Sequence, residues 1–172
     1  LIENFRPGTM EKWGLGYESV SAENPGLIMV RVSGFGQTGP YAKRAGYGLI
    51  GEAMGGLRAI TGEPDRPPAR AGISIGDSLA ASHAAMGALM SLHVREKTGR
   101  GQVVDAAIYE SVLAMMENLI TEYDITGYVR ERSGSILPGI APSNVYPTSD
   151  GMILIGGNGD NVYARLCEAM NR

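Results

Sequence analysis

The chain has 172 residues, of which 44% are hydrophobic and 19% charged, with a formal net charge of −3. That length suits one domain or two small ones, with apolar side chains enough for a core. Beyond Lys43-Arg44 and the Arg130/Arg132 pair no basic block appears, and no apolar run is long enough to span a bilayer, which argues against nucleic acid or membrane as partner. The single cysteine, Cys167, excludes an internal disulfide and fits a reducing compartment.

Taken in chain order, Leu1 to Phe5 reads as the tail of a strand, and Arg6-Pro7-Gly8 as a turn. Thr9, Glu11 and Lys12 open a short helix that Gly14 and Gly16 end, and Tyr17 to Ala22 forms a second, closed by Asn24-Pro25-Gly26. Leu27 to Ser33 is a buried strand, apolar except for Arg31. Helices alternating with apolar strands predict an α/β fold with a parallel sheet. The loop Gly34-Phe-Gly36-Gln-Thr-Gly39 matches G-x-G-x-x-G, but Pro40 follows the last glycine and no acidic-ended strand follows at the required distance. Tyr47 to Met54 is helical, ended by Gly55-Gly56, and Leu57 to Thr61 leads into the proline-rich loop Gly62 to Pro68.

Gly72 to Ile75 reads as a short buried strand that turns at Gly76 into an alanine-rich helix, Leu79 to Val94. Apolar residues cover nearly all faces of that helix, which predicts burial in a large core. Asp77 stands at the junction. It is either an N-cap or a carboxylate nucleophile kept ionised by hydrogen bonds, and spacing does not choose between them. Arg95 to Gly101 is a charged helix stop, Gln102 to Asp105 a strand, and Ala106 to about Tyr123 a second long helix. A boundary falls at the polar linker Tyr128 to Arg132, dividing the chain into residues 1–128 and 129–172. Beyond it, Ser133 to Pro147 is a loop, Thr148-Ser-Asp150-Gly151 a hairpin turn into Met152–Ile155, and Asp160-Asn161 the start of a helix.

Gly72-Ile-Ser74-Ile-Gly76 formally matches the hydrolase elbow G-x-S-x-G, yet His83 and His93 both lie in the helix that follows it and no later histidine exists to serve as base. No HExxH or Cys/His cluster supports a metal site, and Cys167 reads as a core thiol.

Glu3-Asn-Phe-Arg-Pro-Gly8, Ser33-Gly-Phe-Gly-Gln-Thr-Gly-Pro-Tyr41, Thr61-Gly-Glu-Pro64, Gly76-Asp77 and Lys97-Thr-Gly-Arg-Gly-Gln-Val-Val-Asp105 together resemble the class III CoA-transferases, in unbroken order along the whole chain. The resemblance implies that residues 1–128 are part of a Rossmann-like CoA-binding large domain with a long linker helix, and that 129–172 begin a small α+β domain. Family members are about twice as long and form interlocked dimers, so a fragment of such a homodimer is expected. Coenzyme A thioesters and a carboxylic acid are implied as substrates, with no permanently bound cofactor, in the cytoplasm or, for a eukaryote, the mitochondrial matrix.

Residue by residue, the resemblance makes Asp77 the catalytic aspartate. It places Asn4, Phe5, Arg6 and Lys12, and the stretch Ala45, Gly46, Tyr47 and Gly48, at the CoA site. Gly134 and Ser135 fall in a mobile glycine loop over the active site, here with fewer glycines. Tyr47 stands where the family's racemases place a catalytic histidine, which counts for transfer and against 2-methylacyl-CoA racemisation. A further alternative is a non-catalytic CoA-binding piece. The stretches 72–78 and 133–146 are most similar to the branch that moves CoA from succinyl-CoA to dicarboxylic acids, and Arg70 is a candidate partner for a second carboxylate.

Overall fold

The computed structural model describes residues 1–171; Arg172, to which the last predicted helix extends, lies outside the described residues. The chain divides into two compact units, one of Leu1–Ala59 with Arg70–Val129, the other of Ile60–Ala69 with the chain from Arg130 onward. No helix is long and apolar enough to cross a membrane among the described residues.

In the first unit β1 (Ile2–Glu3), β2 (Met29–Ser33) and β3 (Val103–Ala107) form a parallel sheet in the order β1-β2-β3. Ile2 lies opposite Val30, and Met29 opposite Val103. Parallel neighbours require crossovers. α1 (Thr9–Lys12) and α2 (Tyr17–Glu23) connect β1 to β2, while α3 (Gly48–Met54), α4 (Leu57–Ile60) and α5 (Ile75–Thr98) come between β2 and β3. α6 (Ile108–Leu113) and α7 (Leu119–Thr126) follow. Ile28, just before β2, and Val30 of β2 join Ala84 of α5 and Ala106 of β3 in the core, with Val32, Ala88 and Val104 around them.

Small residues set the helix contacts. Ala80, Ala84 and Ser91 of α5 are buried, and between them a Cβ on Gly87 would lie 2.6 Å from Val104 Cγ1. The large apolar residues Met86, Leu89 and Met90 face outward. The expected all-round burial of this helix is therefore corrected: its inner face is a stripe of small residues at positions 80, 84, 87 and 91. In α3, a Cβ on Gly51 would lie 2.4 Å from Ile108 Cγ2, and one on Gly55 would lie 2.6 Å from Val112 Cβ. The backbone of α3 thus lies directly on α6.

Three further expectations are corrected. Gly72–Ile75 is not a strand: Gly72 takes φ +82°, Ile73 is exposed, and α5 has begun by Ile75, so no neighbour pairs this backbone. The long helix from Ala106 is two helices, because β3 runs on to Ala107 and Glu117, at φ +53°, interrupts the backbone between α6 and α7. The first strand is shorter than Leu1–Phe5.

In the second unit β4 (Ser143–Pro147) and β5 (Met152–Gly156) form an antiparallel hairpin, with the Thr148 N–H donating to Gly151 O at 2.9 Å. The turn is where the sequence predicts it, but the preceding loop ends earlier, since Ser143–Pro147 is paired. α8 (Asp160–Ala169) follows. The proline-rich loop joins this unit through hydrogen bonds: Arg132 Nε donates to Glu63 O at 3.2 Å and Gly134 N–H to Gly62 O at 3.0 Å.

Candidate active site

A cleft of about 780 Å³ opens at the carboxyl ends of the parallel strands, where open α/β sheets place their ligands. Its first wall is the exit of β1, with Glu3, Asn4, Phe5, Arg6 and Pro7. Val32, Ser33 and Gly34 come from the end of β2, and Ala42, Arg44, Ala45, Gly46 and Tyr47 from the connection to α3. Asp77 and Ala81 of α5 and Ile108 of α6 complete it. Asn4, Phe5, Arg6, Ala45, Gly46, Tyr47 and Asp77, singled out from the sequence, are thus brought together.

Glycines let these segments meet. A Cβ on Gly34 would stand 2.6 Å from Gly46 Cα, and one on Gly76 would stand 3.0 Å from Gly48 O. One on Gly48 would lie 2.4 Å from Asp77 Oδ2, so the Asp77 carboxylate rests directly against the start of α3. Asp77 sits in the first turn of α5, where the helix dipole favours a negative charge, while Ser74 holds the N-cap position. The capping reading of Asp77 is therefore set aside, and the carboxylate stays exposed at the cleft.

The first wall is tied down by Arg31, the one charged residue of β2. Its Nε donates to Glu3 Oε1 at 2.6 Å, and Nη1 and Nη2 donate to the two Glu11 carboxylate oxygens at 2.7 and 3.3 Å. Glu3 Oε2 accepts the Phe5 N–H at 2.7 Å. The Arg31 hydrogen bonds hold the Glu11 carboxyl below its ordinary range, and pairing with Glu11 pushes the Arg31 guanidinium up despite burial. Phe5 in turn stacks edge-on against Trp13, ring centroids 5.0 Å apart. The Gly34–Tyr41 loop is anchored at the sheet's other edge: Asp105 Oδ2 accepts the Gln37 N–H at 2.8 Å. Burial raises the Asp105 carboxyl above its ordinary range although its side chain still reaches solvent, and the Gln37 bond works against that rise.

Other predicted residues lie elsewhere. Lys12 ends α1 on the surface and Gly48 sits behind Asp77; neither lines the cleft. Gly134 and Ser135 belong to the second unit. There Gly134 takes φ +61°, and Ser135 Oγ donates to Asn144 Oδ1 at 2.6 Å. Arg70 bonds Ser74 Oγ at 3.3 Å at the start of α5. Sequence reasoning missed Glu3, Ser33 and Arg44 as cleft residues. Arg44, whose guanidinium lies 4.0 Å from the Tyr41 ring centroid, was visible only as half of a basic pair. Ser33 Oγ is buried with no hydrogen-bond partner, a donor no local pattern announces.

The family model described as CoA-transferase family III matches residues 1–172. The chain belongs to CoA-transferase family III. It is 65% identical over its full length to a succinyl-CoA–D-citramalate CoA-transferase of Chloroflexus aurantiacus, 43% of which it covers. With the alpha subunit of a succinyl-CoA–L-malate CoA-transferase of the same organism it shares 44% identity, covering 100% of this chain and 41% of that one. Among solved structures, a CaiB/BaiF family protein from Brucella suis superposes with a TM-score of 0.87 at 37% identity, over 99% of this chain and 45% of that chain. The chain thus spans less than half the length of these family III relatives. Its parallel α/β sheet is the architecture expected from the resemblance.

Proposed function

We propose that the chain carries the nucleophile and part of the CoA site of an enzyme that moves CoA from succinyl-CoA to a dicarboxylic acid. The observation that carries this reading is the Asp77 carboxylate, exposed in the same cleft as Asn4–Arg6 and Ala45–Tyr47. The relatives named for citramalate and malate support the donor and the acceptor class.

In this reading an Asp77 carboxylate oxygen attacks the thioester carbonyl of the donor. The carbon–sulfur bond breaks, leaving a mixed anhydride and CoA thiolate. The thiolate attacks the aspartyl carbonyl, expels the donor acid and leaves an aspartyl-CoA thioester. The acceptor carboxylate then attacks that thioester and re-forms an anhydride, and the thiolate takes the acceptor's acyl carbon, freeing Asp77. Every step exchanges one carboxylate or thiolate for another, so no water need be activated, and water must be kept from the anhydride. The exposed carboxylate of this chain therefore requires a cover, which an interlocked homodimer would supply. Tyr47, 76% exposed at the rim, supports transfer over racemisation, because a phenol does not readily take up a proton as an imidazole does.

The test is mass spectrometry of the full-length protein after incubation with succinyl-CoA, with CoA expected on the peptide containing Asp77. Asp77→Asn should keep CoA binding and lose turnover, and Asp77→Ala should leave less than about 1% of transfer, a barrier change of about 2.7 kcal/mol. Saturable CoA binding with no adduct and no transfer would instead mark a non-catalytic binding protein.

A further inference from the structure

We propose that Arg31 is the positioning residue of the cleft's first wall. Its guanidinium fixes Glu3 and Glu11, and it neutralises the cleft-lining Glu3 carboxylate so that the cleft accepts a polyanionic thioester. The inference rests on the reading of the cleft as a CoA-thioester site. A charged residue in the middle of an apolar strand is costly unless fully paired, and Arg31, 7% exposed, is paired at every nitrogen. Glu3, 5% exposed, both lines the cleft and holds the Phe5 backbone, so the ion pair and the wall share one carboxylate. Glu11 lies on α1, so the same guanidinium fixes the short helix that follows the wall. The register also sets Arg31 between Glu3 of β1 and Asp105 of β3. The two acids beside it in the sheet thus hold the two loops of the cleft, one through Phe5 and one through Gln37. Without Arg31, the buried Glu3 charge would face the phosphates of an incoming CoA thioester and lose its fixed geometry.

The measurement is steady-state transfer by the full-length enzyme with succinyl-CoA and a dicarboxylate acceptor. Arg31→Met should raise KM for succinyl-CoA about tenfold or more, with kcat and the acceptor KM changed by less than about threefold. A merely structural loss would move all three together. Glu3→Gln/Arg31→Met removes both charges while the amide oxygen still accepts the Phe5 N–H, and it should lower the donor KM at least about threefold below that of Arg31→Met, short of the parent because Glu11 still lacks its partner. Arg31→Lys keeps the charge without the fork and should fall between. Should Arg31→Met fail to fold, the double variant, which leaves Glu3 uncharged, and Arg31→Lys decide the matter. A parental donor KM in Arg31→Met or Arg31→Lys, a loss confined to kcat, or a double variant no better than the single would overturn the proposal. The underlying reading fails separately, by a parent enzyme whose rate does not saturate with succinyl-CoA or an Asp77→Ala variant that still transfers.

Discussion

Asp105 pairs beside Arg31 in the sheet and Glu11 accepts hydrogen bonds from its guanidinium, yet their carboxyl groups are pushed in opposite directions. Glu11 is lowered from 4.5 by its hydrogen bonds to Arg31, so the folded protein binds its proton less tightly than the unfolded chain does. Its contribution is present above the unfolded value and is lost as pH falls through the folded one. Asp105 is raised from 3.8, chiefly by burial, so its folded state prefers the proton. That contribution is largest in acid and is lost as pH rises through the raised value. Melting temperatures of the full-length protein across the acid range should separate the two. Asp105→Asn, which keeps an acceptor for the Gln37 N–H, should melt at or above the parent near neutrality, with the difference closing in acid. Glu11→Gln should melt below the parent near neutrality and converge with it in acid. An Asp105→Asn protein that loses most of its melting temperature near neutrality would show the charge to be required. At this scale the sequence was informative where cleft residues sit in contiguous motifs, as with Asn4–Arg6 and Ala45–Tyr47. It was silent where a role depends on a distant partner: Arg31 appeared only as an exception in a strand, because its meaning lies 28 residues away in Glu3.

Among the elements, α5 shows why the hydrophobic pattern misled. It weighs large side chains, and in α5 alanine, glycine and serine pack inward while Met86, Leu89 and Met90 stay outside. The strand predicted at 72–75 failed for a related reason, since an apolar tetrapeptide cannot by itself specify a partner. The break between α6 and α7 carries no glycine or proline to announce it. Conversely, the parallel sheet was legible, because β2 and β3 are apolar runs separated by helices. The glycine contacts are testable at Gly51. Alanine is favoured over glycine in a helix by up to about 1 kcal/mol, but its methyl would sit 2.4 Å from Ile108 Cγ2. Overpacking of that kind costs about 1–3 kcal/mol, so Gly51→Ala should destabilise the full-length protein on balance. Ile108→Ala vacates the same space. Denaturant unfolding of the double variant should show less than the sum of the single losses, by about 1 kcal/mol. Additive losses would mean that α3 and α6 have room to separate.

At the scale of the whole molecule, the chain leaves much apolar surface in water. Leu89 and Met90 on α5 are 65% and 67% exposed, Ile125 on α7 76%, and Leu154 on β5 74%. In the three-stranded sheet β1 and β3 are both edge strands, and parallel sheets are otherwise found with their faces and edges covered. The two apolar residues on α5 are consecutive, and Met86 lies one turn before Met90 on the same helix, so the exposure there is contiguous. Contiguous apolar surface drives association. Residues 1–172 expressed alone should therefore sediment as oligomers or aggregates and show no CoA transfer. Substituting Met86, Leu89 and Met90 together by glutamine should reduce that association without unfolding α5, whose buried stripe at 80, 84 and 91 is untouched. A parent chain that sediments as a monomer and melts cooperatively would show that the exposed face of α5 needs no partner.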